Sequence, residues 1–274
     1  MENNEKVSVI IPTYNRGWAL KRAIDSVLSQ DYNNFELIVV DDGSTDDTKS
    51  IIEEYGDNIL YLYQENGGVS SARNLGIKNS SGSLIALLDS DDVWMEGKLE
   101  AQVKFFHQNK SSVICQTDEI WIRNGKRVNP MKKHRKIAGY IFKESLHLCL
   151  ISPSAVMMRK SLFDEIGLFD ESLLSCEDYD LWLRVLLKHP VDLIQIPYIY
   201  KYGGHDDQLS KAFGLDKYRI LSLRKLLENE NLNKVDYEAI KEVLNRKCEI
   251  YAKGCEKREK LDEASYYRDL ALKY

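Results

Sequence analysis

Four apolar runs in the first ninety residues set the frame. Val7-Ser8-Val9-Ile10-Ile11-Pro12, Phe35-Glu36-Leu37-Ile38-Val39-Val40, Ile59 to Tyr63 and Leu84-Ile85-Ala86-Leu87-Leu88 are rich in β-branched or continuously apolar residues and read as buried strands. Between them the apolar period lengthens. Leu20, Ala23, Ile24, Val27 and Leu28 share one helical face over Trp18 to Leu28, with Asn15 near the start as a cap. Asp46 to Tyr55 and Ser70 to Lys78 follow as second and third helices. Alternating strands and helices predict an α/β fold: a mainly parallel sheet with right-handed crossovers and helices on both faces.

The second half is less regular. Ile120 to Val128 reads as a hairpin turning at Asn124-Gly125, and Leu181, Trp182, Val185 and Leu186 repeat at helical spacing behind Glu177-Asp178. From Asp207 onward the pattern is helical, with helices expected around Leu215 to Leu227, Val235 to Lys253 and Leu261 to Leu272. Tyr251, Tyr266, Tyr267 and Tyr274 are expected to cover the α/β domain or each other. Dimerisation or peripheral membrane docking through these helices is the second reading. The division is therefore 1–206 for the α/β domain, with halves at about 6–110 and 111–206, and 207–274 for a helical extension.

Composition narrows the class. The 274 residues carry a net charge of −5 with 30% charged and 43% apolar residues, which argues against disorder and against a dedicated nucleic-acid binder. The start lacks a basic and apolar leader, and no stretch is apolar for long enough to span a bilayer, so a cytoplasmic protein is expected. Five scattered cysteines without Cys-x-x-Cys spacing point to free thiols rather than a disulfide framework or zinc site.

The chemistry gathers at the strand ends. Leu88-Asp89-Ser90-Asp91-Asp92 ends the fourth strand in three acids, where open α/β sheets bind ligands. In extended backbone, Asp89 and Asp91 would point the same way and face one divalent cation; an acidic turn or helix cap is the plainer account. Thr13-Tyr14-Asn15-Arg16, Asp41-Asp42-Gly43-Ser44 and Gly67-Gly68-Val69-Ser70-Ser71-Ala72-Arg73-Asn74 add aromatic, acidic, cationic and glycine positions suited to a nucleotide. Gly-x-Gly-x-x-Gly and Gly-Lys-Ser/Thr are both missing, which removes the main support for dinucleotide and P-loop sites. Glu177-Asp178 at a helix start also has a plain account, since acids there favour the helix dipole. Arg73 equally reads as a surface helix charge. Lys126, Arg127, Lys132, Lys133, His134, Arg135 and Lys136 form a basic run, either a solvated loop or a surface for an anionic acceptor or membrane.

Taken together, Val9 to Arg16, Val40 to Asp46, Gly68 to Asn74, Leu88 to Asp92 and Glu177-Asp178 resemble the successive signatures of family 2 glycosyltransferases, which have the GT-A fold. The resemblance covers residues 6–205. It implies transfer of a sugar from a nucleotide-sugar donor, a UDP-sugar first, to a saccharide or lipid-linked saccharide acceptor, usually with inversion. It implies Mn²⁺ or Mg²⁺ at Asp91, with Asp89 reaching the ribose or the ion through water and His205 approaching metal or diphosphate. Pro12 and Tyr14 would wall the base, Asp42 would accept from it, and Arg73 and Ser90 would lie at the nucleotide. Asp178 would be the general base, with Glu177 beside it raising one pKa of the pair. The Gln-x-x-Arg-Trp pattern of processive members is absent, so single transfers in bacterial surface polysaccharide or glycolipid assembly are expected. The alternatives are a sugar-phosphate nucleotidyltransferase and a non-catalytic nucleotide-sugar binding protein.

Overall fold

The computed structural model describes residues 5–205, 214–228 and 232–274. Its strands are β1 (Val7–Thr13), β2 (Phe35–Asp41), β3 (Leu60–Tyr63), β4 (Leu84–Leu87), β5 (Val93–Trp94), β6 (Ile114–Arg123), β7 (Lys126–Val128), β8 (Val156–Arg159) and β9 (Asp192–Gly203). Its helices are α1 (Gly17–Leu28), α2 (Thr48–Glu53), α3 (Val69–Asn79), α4 (Lys98–Gln108), α5 (Phe142–His147), α6 (Leu162–Ile166), α7 (Glu177–Leu186), α8 (Leu215–Leu227), α9 (Lys234–Glu256) and α10 (Leu261–Lys273).

One sheet runs in the order β3-β2-β1-β4-β8-β6-β9-β5, with β7 paired to β6. The β3-β2-β1-β4 half is parallel throughout, as the alternating sequence pattern predicts. Past β4 the sheet is mixed: β8 is antiparallel to β4 and β6, whereas β6 and β9 run parallel with register shifts around Asp118. The parallel half collects the carboxyl ends of its strands along one edge, where its polar turns stand.

Strand alternation divides the core between the two faces. Val9, Ile11, Leu37, Val39, Ala86 and Leu88 join Leu20 and Ile24 of α1 and Val103 and Phe106 of α4. Ile10, Ile38, Val40, Ile85 and Leu87 belong to the other cluster, with Ala72, Trp182, Leu223 and Leu244. α3 lies close on β1: a Cβ on Gly76 would come within 2.5 Å of Ile10 Cγ2, so only glycine fits there.

Two local expectations of the fold need correction. Asn15 does not cap α1. Its backbone has φ 51° and its side chain accepts from Thr45 N at 2.7 Å, while the carboxylate of Asp46 takes the Gly17 N–H at 3.0 Å. The second helix is shorter than the pattern suggests, and a 3-10 turn over Gly56–Asn58 follows it. The Asn124-Gly125 hairpin is present, with both residues at positive φ as such a turn requires. The tail tyrosines largely pack on one another, with Tyr251 and Tyr267 centroids 4.5 Å apart and Tyr266 and Tyr267 5.1 Å apart. The expected boundary at 206/207 lies outside the described residues. All five cysteines are free.

Candidate active site

At the ends of β1 and β2, backbone and acids hold one another. Pro12 is buried, and Tyr14 stands 47% exposed just past β1. Asp41 accepts from Ser44 N at 2.9 Å and from Tyr61 OH at 3.2 Å. Asp42 takes three donors: Gln64 Nε2 at 2.6 Å, Gly67 N at 2.8 Å and Gly68 N at 2.9 Å. Gly68 has φ 87°, a conformation glycine adopts without strain, as the chain turns into α3. Asp42 thus organises the Gly67-Gly68 loop, using three of the roughly four acceptor positions of a carboxylate.

Arg73 is the hub of the site. It is buried, not a surface charge, with 3% exposure. Its Nη2 donates to Asp89 Oδ1 at 2.7 Å and its Nη1 to Glu177 Oε1 at 2.6 Å, while the guanidinium lies 5.2 Å from the Phe169 ring centroid. Burial works against its charge, but Asp89 and Glu177 more than offset that and push the guanidinium pKa up. A buried cation with two carboxylates on it tolerates the loss of any one member poorly.

The acids after β4 are arranged differently from the extended pattern expected. Asp92 N donates to Asp89 O at 3.0 Å, closing a turn, so Asp89 and Asp91 diverge. Asp89 goes to Arg73, and Asp91 Oδ2 lies 2.7 Å from His205 Nε2. His205 Nδ1 lies 3.3 Å from Arg16 Nη1, and its ring meets Trp18 edge-on at 5.3 Å. Burial raises the Asp91 pKa, as does the charge of Asp89, with Arg16 and His205 opposing both. Ser90, between them, is buried.

Asp92, which the sequence did not single out for a role, braces this turn. It accepts from Ser154 Oγ at 2.6 Å and from Tyr202 N at 2.9 Å, and Ser154 Oγ in turn accepts from Asp89 N at 3.1 Å. Burial, reinforced by the charge of Asp91, pushes its pKa well up.

The acid pair opening α7 is split. Glu177 turns to Arg73, and burial raises its pKa, with Arg73 opposing and Asp178 adding to the rise. Asp178 faces the other way: Oδ1 accepts from Tyr179 N at 2.7 Å and Oδ2 from Cys149 Sγ at 3.4 Å. Beside it is a cationic cluster that sequence reasoning missed. Lys136 and Lys201 each donate to Ser152 Oγ at 2.9 Å, and Lys136 pairs with Glu119 at 3.2 Å. Lys136 therefore does not belong to a solvated loop. Burial would lower the Lys201 pKa, but Glu119, Asp92, Asp89 and Asp178 together push it up. Glu119 is held at about 2 because Lys136 and Lys201 outweigh its burial. Lys201 sits in a strand whose local pattern carries no sign of this role, and only the β6–β9 pairing brings it here.

Among the described residues, no group of three or more His, Cys, Asp and Glu converges as a ready-made metal cage. The Asp91–His205 pair nevertheless fits a divalent cation: one oxygen and one nitrogen donor, with Asp89 close enough to disfavour the Asp91 charge. Such ions are commonly held by one or two carboxylates plus phosphate and water.

Comparisons with known proteins bear on the family and the fold. The family model "Glycosyl transferase family 2" matches residues 8–167. An uncharacterized glycosyltransferase of Rickettsia prowazekii, RP339, is 42% identical over 183 residues, covering 65% of this chain but only 58% of its own length. UDP-Glc:alpha-D-GlcNAc-diphosphoundecaprenol beta-1,3-glucosyltransferase WfgD of Escherichia coli is 34% identical over 195 residues, 70% of this chain and 74% of that protein. Among solved structures, S. aureus TarS 1-349 in complex with UDP-GlcNAc superposes with a TM-score of 0.72 at 25% identity, covering 88% of this chain and 72% of that one. The matched segment carries the turns that hold Asp42, Arg73, Asp89 and Asp91, and the chain belongs to glycosyltransferase family 2, with the GT-A fold.

Proposed function

We propose that this chain transfers a single sugar, with inversion, from a nucleoside-diphosphate sugar to the hydroxyl of a saccharide or lipid-linked saccharide acceptor. The observation that carries this reading is the Arg73 bridge, which ties Asp89 on the donor side to Glu177 at the start of α7. The donor-side acid and the start of the helix that carries the candidate base thereby belong to one charged framework. Uracil is the first choice of base, because the names of the E. coli relative and of the TarS complex both include a UDP-sugar.

In this reading Pro12 and Tyr14 flank the base and Asp42 offers its remaining acceptor position to it. Asp91 and His205 hold Mn²⁺ or Mg²⁺, which when bound neutralises charge on the departing diphosphate. Arg73 holds Asp89 in place near the ribose, with Ser90 beside it. Asp178 takes the proton from the acceptor hydroxyl at a carboxylate oxygen, and Glu177, held by Arg73, orients the start of α7. No described helix is long and apolar enough to cross a membrane; a cytoplasmic setting with peripheral membrane contact suits an enzyme of bacterial surface polysaccharide or glycolipid assembly.

The test is release of nucleoside diphosphate from a panel of UDP-, GDP- and dTDP-sugars, with and without saccharide acceptors. Release from one donor class, faster with acceptor, supports the reading. Pyrophosphate formed from nucleoside triphosphate and sugar phosphate, with no release from any nucleotide sugar, would replace it with a nucleotidyltransferase.

A further inference from the structure

A second opening lies beside the Asp178 end of the site. It encloses about 420 Å³, within the range of small-molecule sites. One wall carries Lys132, Lys133 and Arg135, and Ile137, Leu148 and Leu150 give it an apolar lining. None of these three cations pairs with a carboxylate among the described residues, although the chain as a whole carries a net charge of −5. Glu144 is the one acid in the lining.

Both walls run into the site. Leu148 and Leu150 flank Cys149, whose Sγ lies 3.4 Å from Asp178 Oδ2. On the other side Lys136 is anchored on Ser152, which also receives Lys201, and the carbonyl of Ile137 accepts from Gln116 Nε2 at 3.0 Å. The basic segment is thus pinned at its carboxyl end instead of lying loose in solvent. His134, packed 5.2 Å from the Trp121 ring, has its pKa lowered by burial and by repulsion from Lys133, Arg123 and Lys201, a sign of local positive potential.

We propose that this groove seats the anionic, lipid-bearing end of the acceptor: Lys132, Lys133 and Arg135 take a diphosphate, and Ile137, Leu148 and Leu150 take the first carbons of its apolar chain. The inference rests on the glycosyl-transfer reading, which puts the acceptor hydroxyl at Asp178. Cations match diphosphate oxygens, and the apolar lining would stay exposed under a purely ionic ligand. A diphosphate ester of a long-chain alcohol supplies both chemistries and leaves its sugar free to reach past Cys149.

Isothermal titration of the full chain with farnesyl diphosphate, inorganic pyrophosphate and farnesol, each with and without UDP and Mn²⁺, tests this. Farnesyl diphosphate should bind at least about 10-fold tighter than either fragment, and K132A/K133A/R135A should weaken it about 10- to 100-fold while leaving UDP binding unchanged. These side chains are exposed, so the variant should fold. Equal binding of pyrophosphate and farnesyl diphosphate, or a triple variant that binds farnesyl diphosphate like the parent, overturns the proposal. So does a triple variant that loses only its attachment to phosphatidylglycerol vesicles, which would make the cations a membrane contact. If the groove behaves as expected but no nucleotide binds, the groove stands as a lipid-diphosphate site and the glycosyl-transfer reading falls.

Discussion

The two halves of the site are built on different principles. In the parallel half three acids are held by donors from that same half: Asp41 by Ser44, Asp42 by Gly67 and Gly68, and Asp89 by Arg73 of the adjoining helix. Beyond β4 the functional groups come from positions 119, 136, 149, 152, 178 and 201, and only long-range pairing unites them. A local framework tolerates remote substitution; a framework spread over β6, β9, α7 and the loops between them depends on all of these elements docking together. The acceptor side should therefore be the more easily disturbed.

The sharpest way to separate the halves is Asp178→Asn. Turnover should fall by roughly 10²- to 10⁴-fold with donor affinity near normal, as steady-state kinetics and nucleotide titration would reveal. Unchanged turnover would remove Asp178 from the role of base. Arg73→Met attacks the link between the halves. It leaves Asp89 and buried Glu177 without their cation, and a loss of about 3–5 kcal/mol in urea denaturation is expected. Adding Glu177→Gln should recover part of that loss; no recovery would mean that the pair is not coupled as the contacts imply.

Acid sensitivity probes the long-range cluster. Glu119 has a folded-state pKa of about 2, below its ordinary value near 4.5, so its contribution is fully present above pH 4.5 and is lost as pH falls toward 2. Glu119→Gln should flatten this limb of the stability curve by on the order of 2 kcal/mol, read from urea midpoints at pH 3 and pH 6. The smallest effect concerns Lys98, between the halves. Its ammonium is fully buried, donates to Gln102 Oε1 at 2.6 Å and lies 4.0 Å from the Trp94 ring centroid. Burial lowers its pKa to about 7. The unfolded chain keeps that proton up to about pH 10, so stability should rise with pH from 7 toward 10. Lys98→Met should abolish this rise, worth about 1 kcal/mol between pH 7 and pH 8.

The same contrast explains how much was legible in the sequence. The parallel strands, their helices and the polar residues at their ends are written in contiguous runs, because each unit forms over a short stretch and its motif sits at its own strand end. The turn at Asp89–Asp92 was misjudged because a hydrogen bond between Asp92 N and Asp89 O replaced extended backbone. Asn15 lost its expected capping role to Asp46, which lies beyond β2 in the chain and takes the Gly17 N–H. Lys201 and Glu119 carry no local signal. They become functional candidates only when β6 and β9 pair, and Lys136 reads as one more exposed cation until Ser152 and Glu119 are brought against it.

The central claim, that the acids after β4 hold a nucleoside diphosphate with a divalent cation, is tested most directly by titration calorimetry with UDP, GDP and dTDP, in Mn²⁺ and again in EDTA, alongside Asp91→Ala. The account predicts that one nucleotide, UDP first, binds in Mn²⁺ and loses affinity both in EDTA and in Asp91→Ala. Absence of binding by all three nucleotides, or binding indifferent to both metal and Asp91, would contradict it.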